Sequence, residues 1–293
     1  MSPRHIVLAI VLTVFWGLNF VVITVALTDF PPLLLAGLRF VLAALPILVL
    51  PRPNLPWSTL VLLAGALFVG QFALLFPAMA VGMPPGLASI ALQVQAFITI
   101  AIAAAVLGEK PSGRQVAGAV VALAGLAIVA TTVGTAGVTL AGFLLLLAAA
   151  VSWSVGNVLL RRAGKIDMLP LISWLSLIAA PPLLALSLFV EGPARIGVAF
   201  AAADWLTVAA ILYIAYVSTT FGYAAWGHLL KLYPAATVAP LALLVPVSGT
   251  LSAALLLGEQ FGTVRLAGMV LIMAGLAVLV LGPRPPPVSA DPA

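Results

Sequence analysis

The chain has 293 residues, of which 64% are hydrophobic and only 6% are charged. A soluble domain carries about 25% charged residues, so this composition excludes one and indicates an integral membrane protein. The net charge is +5, but the basic residues are scattered, which fits a membrane protein with basic cytoplasmic loops better than nucleic-acid binding. The absence of cysteine excludes disulfides and iron–sulfur clusters, and two histidines are too few for a zinc site. No metal or cofactor is predicted.

Ten apolar stretches follow one another along the chain, separated by Gly, Pro and charged residues. Because about 20 apolar residues span the hydrocarbon core of a bilayer as a helix, each stretch is predicted to be a transmembrane helix. The predicted helices are 5–26, 31–50, 57–81, 85–107, 113–131, 138–161, 170–190, 204–228, 234–257 and 264–282. The proline-rich end, 284–293, has little to bury and is predicted to be disordered.

The distribution of basic residues predicts the orientation. If the N-terminus is cytoplasmic, nine Lys and Arg residues fall in cytoplasmic segments, and only Arg195 and Arg265 fall on the other side. Cytoplasmic loops of membrane proteins carry an excess of Lys and Arg, so both termini are predicted to be cytoplasmic.

The two halves of the chain are related by a shift of 150 positions. This shift aligns, without a gap, Pro84 with Pro234, Leu107-Gly108-Glu109 with Leu257-Gly258-Glu259, and Ala124-Gly125-Leu126-Ala127 with Ala274-Gly275-Leu276-Ala277. Chance similarity between Ala- and Leu-rich helices is the alternative, but the gap-free match favours a five-helix unit that occurs twice, over 1–135 and 136–283. An odd number of helices turns the second copy upside down in the membrane, and inverted repeats are typical of transporters.

Four short motifs resemble the EamA family of the drug/metabolite transporter superfamily. They are Trp16-Gly17-Leu18-Asn19-Phe20, Ala36-Gly37-Leu38-Arg39-Phe40, Pro84-x-Gly86-Leu87-Ala88-Ser89 and Gly108-Glu109. The chain is similar to bacterial amino-acid exporters of this family, among them the O-acetylserine/cysteine exporter and the aromatic amino acid exporters. The resemblance implies a carrier in the bacterial inner membrane that exports small metabolites by alternating access. It also implies an all-α fold of ten helices, with helices one to four and six to nine around a central cavity.

Arg39 is the only basic residue well inside a predicted helix, where a charge is unfavourable unless it is paired or reaches water. Two interpretations stay open. Arg39 can bind the carboxylate of a substrate, or it can make a structural contact near the outer mouth with its guanidinium hydrated from that side.

Helices one and eight contribute further candidates for substrate binding. Trp16 and Asn19 lie on one side of helix one, and the Asn amide can pair with both ends of a zwitterion or simply join two helices. On helix eight, Tyr213, Tyr216 and Thr220 fall on one stripe at 100° per residue, which favours cavity lining over an interfacial aromatic belt.

Helices three and four contribute Gln71, Ser89 and Gln93. Ser89 and Gln93 share a face with Phe97, whereas Gln95 points the other way. These amides and the hydroxyl either match the charged groups of an amino acid or tie helices together. The predicted substrate-binding residues are therefore Trp16, Asn19, Arg39, Gln71, Ser89, Gln93, Tyr213, Tyr216 and Thr220.

The predicted function is facilitated, broad-specificity export of amino acids and similar small zwitterions. The chain has no nucleotide-binding loop and no acidic residue in the interior of a predicted helix, which disfavours ATP hydrolysis and proton coupling. Alternative cargoes are drugs, nucleotide sugars or lipid precursors, and a polytopic membrane enzyme is a weaker alternative because no metal or nucleophile motif is present. The expected partners are the substrate and the lipid bilayer but no nucleic acid, and the chain is expected to be a monomer or a homodimer.

Overall fold

The computed structural model describes residues 1–135, 137–164 and 166–281. Helices make up 83% of the described residues, which form no strand. The predicted disordered tail, 284–293, lies outside the described residues. The fold is therefore all-helical, as the sequence predicts.

Ten helical segments match the predicted helices, and the largest differences are at the end of α2, predicted at 50, and at the start of α9, predicted at 234. They are α1 Pro3–Ala26, α2 Pro32–Ala44, α3 Trp57–Ala80, α4 Pro85–Leu107, α5 Gly113–Ala130, α6 Leu140–Ala163, α7 Met168–Val190, α8 Trp205–Leu232, α9 Ala239–Leu257 and α10 Thr263–Leu281. A 3₁₀ turn, Leu45–Leu48, extends α2, and a short helical turn, Ala235–Val238, precedes α9. The stretch between α7 and α8, predicted as a loop, contains the short helix Pro193–Ala202.

Nine helices of the described chain are long and apolar enough to cross a bilayer, and α2 is not among them. Even with its 3₁₀ extension the second segment, Pro32–Leu48, has only 17 residues, although it is also apolar. Large side chains on the outside of the bundle are apolar, as a lipid-facing surface requires, including Leu48, Phe189, Trp205 and Leu255. The chain is a multi-pass membrane protein.

The connections between helices gather at two ends of the bundle. At the terminal end, the Tyr233 hydroxyl accepts a hydrogen bond from the Ser2 amide at 3.1 Å, and Lys231 pairs with Asp167 at 2.5 Å. At the opposite end, the Thr139 amide donates to the Gly82 carbonyl at 3.0 Å. Successive helices run alternately between these two ends.

Helices α5 and α10 form the most extensive helix–helix contact of the described chain. Their glycines meet directly: a Cβ atom on Gly125 would lie 2.6 Å from the Gly268 carbonyl oxygen, and one on Gly275 would lie 2.5 Å from that of Gly118. These glycines, seven residues apart on each helix, let the two backbones touch. They join the fifth helices of the two halves within one chain, so they serve as a scaffold.

Two equivalent helices contain a wider turn that the sequence does not predict. Residues Gly65–Gly70 of α3 and Tyr213–Phe221 of α8 form π-helix, and these are the third helices of the two repeats. A π turn inserts extra backbone and rotates the side chains that follow it. The faces that α3 and α8 present to the bundle are therefore not those of regular helices.

Candidate functional site

Arg39 of α2 is buried in the bundle, with 3% of its surface exposed. Its Nε donates a hydrogen bond to the Thr219 hydroxyl oxygen at 2.8 Å. Its guanidinium carbon lies 4.1 Å from the ring centre of Phe72 and 5.3 Å from that of Phe40. Its Nη1 is buried without a hydrogen-bond partner. One donor of a buried cation is thus available to a ligand.

The π turn of α8 explains how Thr219 reaches Arg39. The Thr219 hydroxyl donates to the Ile214 carbonyl five residues earlier, at 2.8 Å, and so offers its oxygen to the guanidinium. Thr220, which regular helical spacing selects, bonds to the Ala215 carbonyl of its own helix at 3.1 Å. Thr219 and Phe72 are therefore the contacts of Arg39 that sequence reasoning missed. The adjacent residues Thr219 and Thr220 indicated a hydroxyl on this part of α8, but only the π turn shows that Thr219 is the one that contacts Arg39.

No carboxylate neutralises Arg39 within the described helices. The acidic residues of the described chain all lie in connections or at helix ends: Asp29, Glu109, Asp167, Glu191, Asp204 and Glu259. An unpaired charge in the apolar interior is unfavourable and usually marks a substrate or ion pathway. Arg39 therefore keeps a positive charge for which the described spans supply no counter-ion.

Two buried amides also have unused acceptors. Asn19 of α1 and Gln71 of α3 are 8% and 2% exposed, and Asn19 Oδ1 and Gln71 Oε1 have no hydrogen-bond partner. Gln71 is next in sequence to Phe72, which stacks on Arg39. Leaving a buried acceptor unsatisfied destabilises a protein by about 1–3 kcal/mol, so groups of this kind are candidates for ligand binding.

Aromatic side chains attach α1 to α8. Trp16 Nε1 donates to the Ser218 carbonyl at 2.9 Å, and its ring contacts those of Tyr223 and Trp226 with centroids 5.7 and 5.5 Å apart. The Tyr213 hydroxyl donates to the Phe15 carbonyl at 2.8 Å. Trp16 and Tyr213 therefore join helices, whereas Tyr216, on the same predicted stripe, is half-buried in the π turn.

The predicted common face of α4 is divided between two neighbours. The buried Ser89 hydroxyl contacts the carbonyls of Gly86 at 2.7 Å and Pro246 of α9 at 3.4 Å. Phe97 instead packs beside Gly118 of α5. A 3₁₀ turn, Leu92–Val94, separates the two and contains the half-buried Gln93.

Removing the indole N–H of Trp16 is expected to weaken the bundle slightly. Trp16→Phe keeps an aromatic ring but leaves the Ser218 carbonyl without this donor, so we expect a loss of about 1 kcal/mol in unfolding free energy. Thermal unfolding in detergent measures it. Trp205→Phe, at a strongly exposed position, is the control and should change little. Equal losses in both variants would show that the bond contributes nothing.

The chain matches the family model described as "EamA-like transporter family" over residues 4–131 and again over 140–281. It belongs to the EamA-like transporter family. This confirms the resemblance found in the sequence, and it identifies the chain as a transporter rather than an enzyme.

Curated relatives agree with this assignment. Proteins named "Probable amino-acid metabolite efflux pump" from Salmonella typhimurium and Escherichia coli are 44% and 43% identical to this EamA chain, each over 97% of both chains. A "Probable terminal-alkyne amino-acid exporter" from Streptantibioticus cattleyicolor is 28% identical over 95% of this chain and 94% of its own. One solved crystal structure shares the fold, with a TM-score of 0.62, 21% identity and coverage of 96% of this chain and 98% of the other. Together with the membrane-spanning helices, these bacterial relatives place the chain in the inner membrane.

Proposed function

We propose that this EamA transporter exports amino acids and related small zwitterions by alternating access between its two inverted repeats. The observation that supports this most is Arg39, a buried guanidinium with a free donor and no acidic partner within the described helices. The similarity to amino-acid efflux pumps makes a substrate carboxylate the natural ligand for that donor.

Three buried polar groups of the bundle complement a zwitterion. Arg39 Nη1 can donate to a carboxylate, and Asn19 Oδ1 and Gln71 Oε1 can accept from an ammonium group. We propose that these three residues recognise the charged groups of the substrate. Around them we place the other residues of the site: Trp16, Ser89, Gln93, Tyr213, Tyr216 and Thr220.

The proposed topology has ten transmembrane helices and cytoplasmic termini. The second segment, Pro32–Leu48, counts as the tenth span because 17 residues are still enough to cross a bilayer, at the lower limit of the usual range. The repeats are taken as 1–135 and 136–283. The terminal end of the bundle then faces the cytoplasm, and transport is facilitative because no acidic residue lies within a described helix.

Uptake into proteoliposomes tests this proposal. Radiolabelled leucine, phenylalanine and O-acetylserine are offered with and without a pH gradient, in competition with unlabelled amino acid, its methyl ester or its N-acetyl form. We expect saturable uptake that ignores the gradient and is inhibited by the free amino acid, but not by the ester that lacks a carboxylate.

Three results would contradict the proposal in different ways. Equal inhibition by the ester would remove the role of the carboxylate. Uptake only under a pH gradient would refute facilitated transport, and no uptake of any amino acid would shift the substrate to another class of metabolite.

A further inference from the structure

Glu259 bridges the two repeats at the opposite end of the bundle. It follows α9 in the second repeat, yet its carboxylate accepts hydrogen bonds from the first amides of α4 in the first repeat. Glu259 Oε2 lies 2.7 Å from the Gly86 nitrogen, and Oε1 lies 3.3 Å from the Leu87 nitrogen. The first amides of a helix lack internal partners and favour a negative charge, so Glu259 caps α4.

The contact at Gly86 is closely packed. A Cβ atom there would lie 2.7 Å from Phe261 Cζ and 2.9 Å from Glu259 Oε2. Glycine is therefore what allows the turn after α9 to reach the start of α4. Burial raises the pKa of Glu259, against the opposing effects of the Gly86 and Leu87 amides and of the positive charge on Arg265.

The equivalent glutamate at the terminal end has a different partner. The shift of 150 residues maps Glu259 onto Glu109, and it maps the amides of residues 86 and 87 onto those of 236 and 237. Glu109 instead pairs with Arg161, with Oε2 and Nη1 2.8 Å apart and both side chains exposed by 40% or more. The Thr237 amide bonds to the Pro234 carbonyl at 2.8 Å.

Burial shows the same asymmetry along the two helix starts. Every residue from 85 to 92, at the start of α4, is buried. At the equivalent positions before and in α9, Val238 is buried, but Thr237 is exposed and residues 239–242 are only half-buried. The structure is thus closed between α4 and α9 at the opposite end and more open at the terminal end.

We infer that Glu259 and Glu109 are paired positioning residues that hold the two ends of the transporter closed in turn. In this state Glu259 caps α4, and Glu109 is held by Arg161. In the other state Glu109 leaves Arg161 and caps the turn Ala235–Val238, and Glu259 releases Gly86 and Leu87 to water. Each carboxylate stabilises one closed end, so removing one shifts the balance between the two states. This inference rests on the proposed alternating access.

The absence of cysteine in the chain allows a direct test by single-cysteine labelling. Ser89→Cys and Ala239→Cys place matched probes at positions related by the 150-residue shift. Each variant is put in lipid nanodiscs, where a membrane-impermeant maleimide reaches both ends, and the labelling rates are compared. In the parent chain we expect fast labelling at position 239 and slow labelling at position 89.

Substitution of either glutamate should change the labelling rates at the two probe positions in opposite directions. Glu259→Gln is expected to speed labelling at position 89 and slow it at 239, each by about fivefold or more. Glu109→Gln should do the reverse. Arg161→Gln frees Glu109 from its partner and should change the labelling rates in the same directions as Glu259→Gln. It is a second test, because it leaves the hydrogen bonds between Glu259 and α4 intact.

Glu191→Gln is the matched control. Glu191 also caps a helix at the opposite end, where it accepts hydrogen bonds from the Leu33 and Leu34 amides at 2.7 and 2.9 Å. Unlike Glu259, it is not one of the two glutamates that the 150-residue shift aligns. It should not produce the reciprocal pattern. Equal changes at both probes, or no change in Glu259→Gln and Arg161→Gln, would overturn the inference. Labelling needs no substrate, so a failure of amino-acid transport beside reciprocal labelling would count only against the proposed substrate.

Discussion

Replacement of Arg39 by methionine is expected to reduce amino-acid export by about tenfold or more while the fold stays at least as stable. A charge-assisted hydrogen bond contributes about 1.5–3 kcal/mol, so its loss corresponds to a factor of ten to a hundred in substrate binding. Methionine has a similar length and no charge, and it removes a buried cation that the described helices leave without a counter-ion.

A structural role for Arg39 predicts a different result. If its contacts with Thr219 and Phe72 mainly hold α2 against α8 and α3, Arg39→Met should lower the thermal stability in parallel with export. Thr219 keeps its bond to Ile214 in the variant, so no hydroxyl proton is left unsatisfied. Measuring transport and thermal unfolding on the same preparation separates the two roles. A stable variant with normal export would refute substrate binding by Arg39.

Two further variants make the comparison specific. Arg39→Lys keeps the charge but not the planar group that stacks on Phe72, so it should recover part of the export at most. Arg195→Met removes an exposed arginine from the short helix Pro193–Ala202 and should leave both export and stability unchanged.

The second large effect is expected at the contact between α5 and α10. Gly125→Ala adds a Cβ atom that would lie 2.6 Å from the Gly268 oxygen, 2.7 Å from the Ile272 nitrogen and 2.9 Å from Leu271 Cβ. Two of these neighbours are backbone atoms that cannot rotate away, so the helices must separate. We expect the unfolding free energy to fall by about 1–3 kcal/mol, which is the usual effect of overpacking.

Gly113→Ala is the control within the same helix. A Cβ atom at Gly113, the first residue of α5, would meet nothing within 4 Å, and alanine is a better helix former than glycine. Thermal unfolding in one detergent should therefore separate the variants, with Gly125→Ala lowered and Gly113→Ala unchanged or raised. A lowered Gly113→Ala would mean that glycine replacement in α5 is harmful for a reason other than the contact with α10.

The sequence predicted the candidate site only as a set of residues on separate helices. Arg39, Asn19 and Gln71 stood out because polar side chains are rare in apolar helices, and all three are buried. Regular helical spacing on α8 does not select Thr219, which lies in the π turn from Tyr213 to Phe221 and contacts Arg39. On α4 it does not anticipate the 3₁₀ turn between Ser89 and Phe97.

Composition, hydropathy and the spacing of short motifs sufficed to predict the membrane location, most of the helices and the EamA family. These properties depend on residue type and spacing along the chain, which is why the sequence alone contains them. Only the tertiary structure decided that Thr219 contacts Arg39, that the glycines of α5 meet those of α10, and that Glu259 caps α4 while Glu109 pairs with Arg161. The two glutamates have nearly the same local sequence, so the difference between them arises from the helices that surround each one in the tertiary structure.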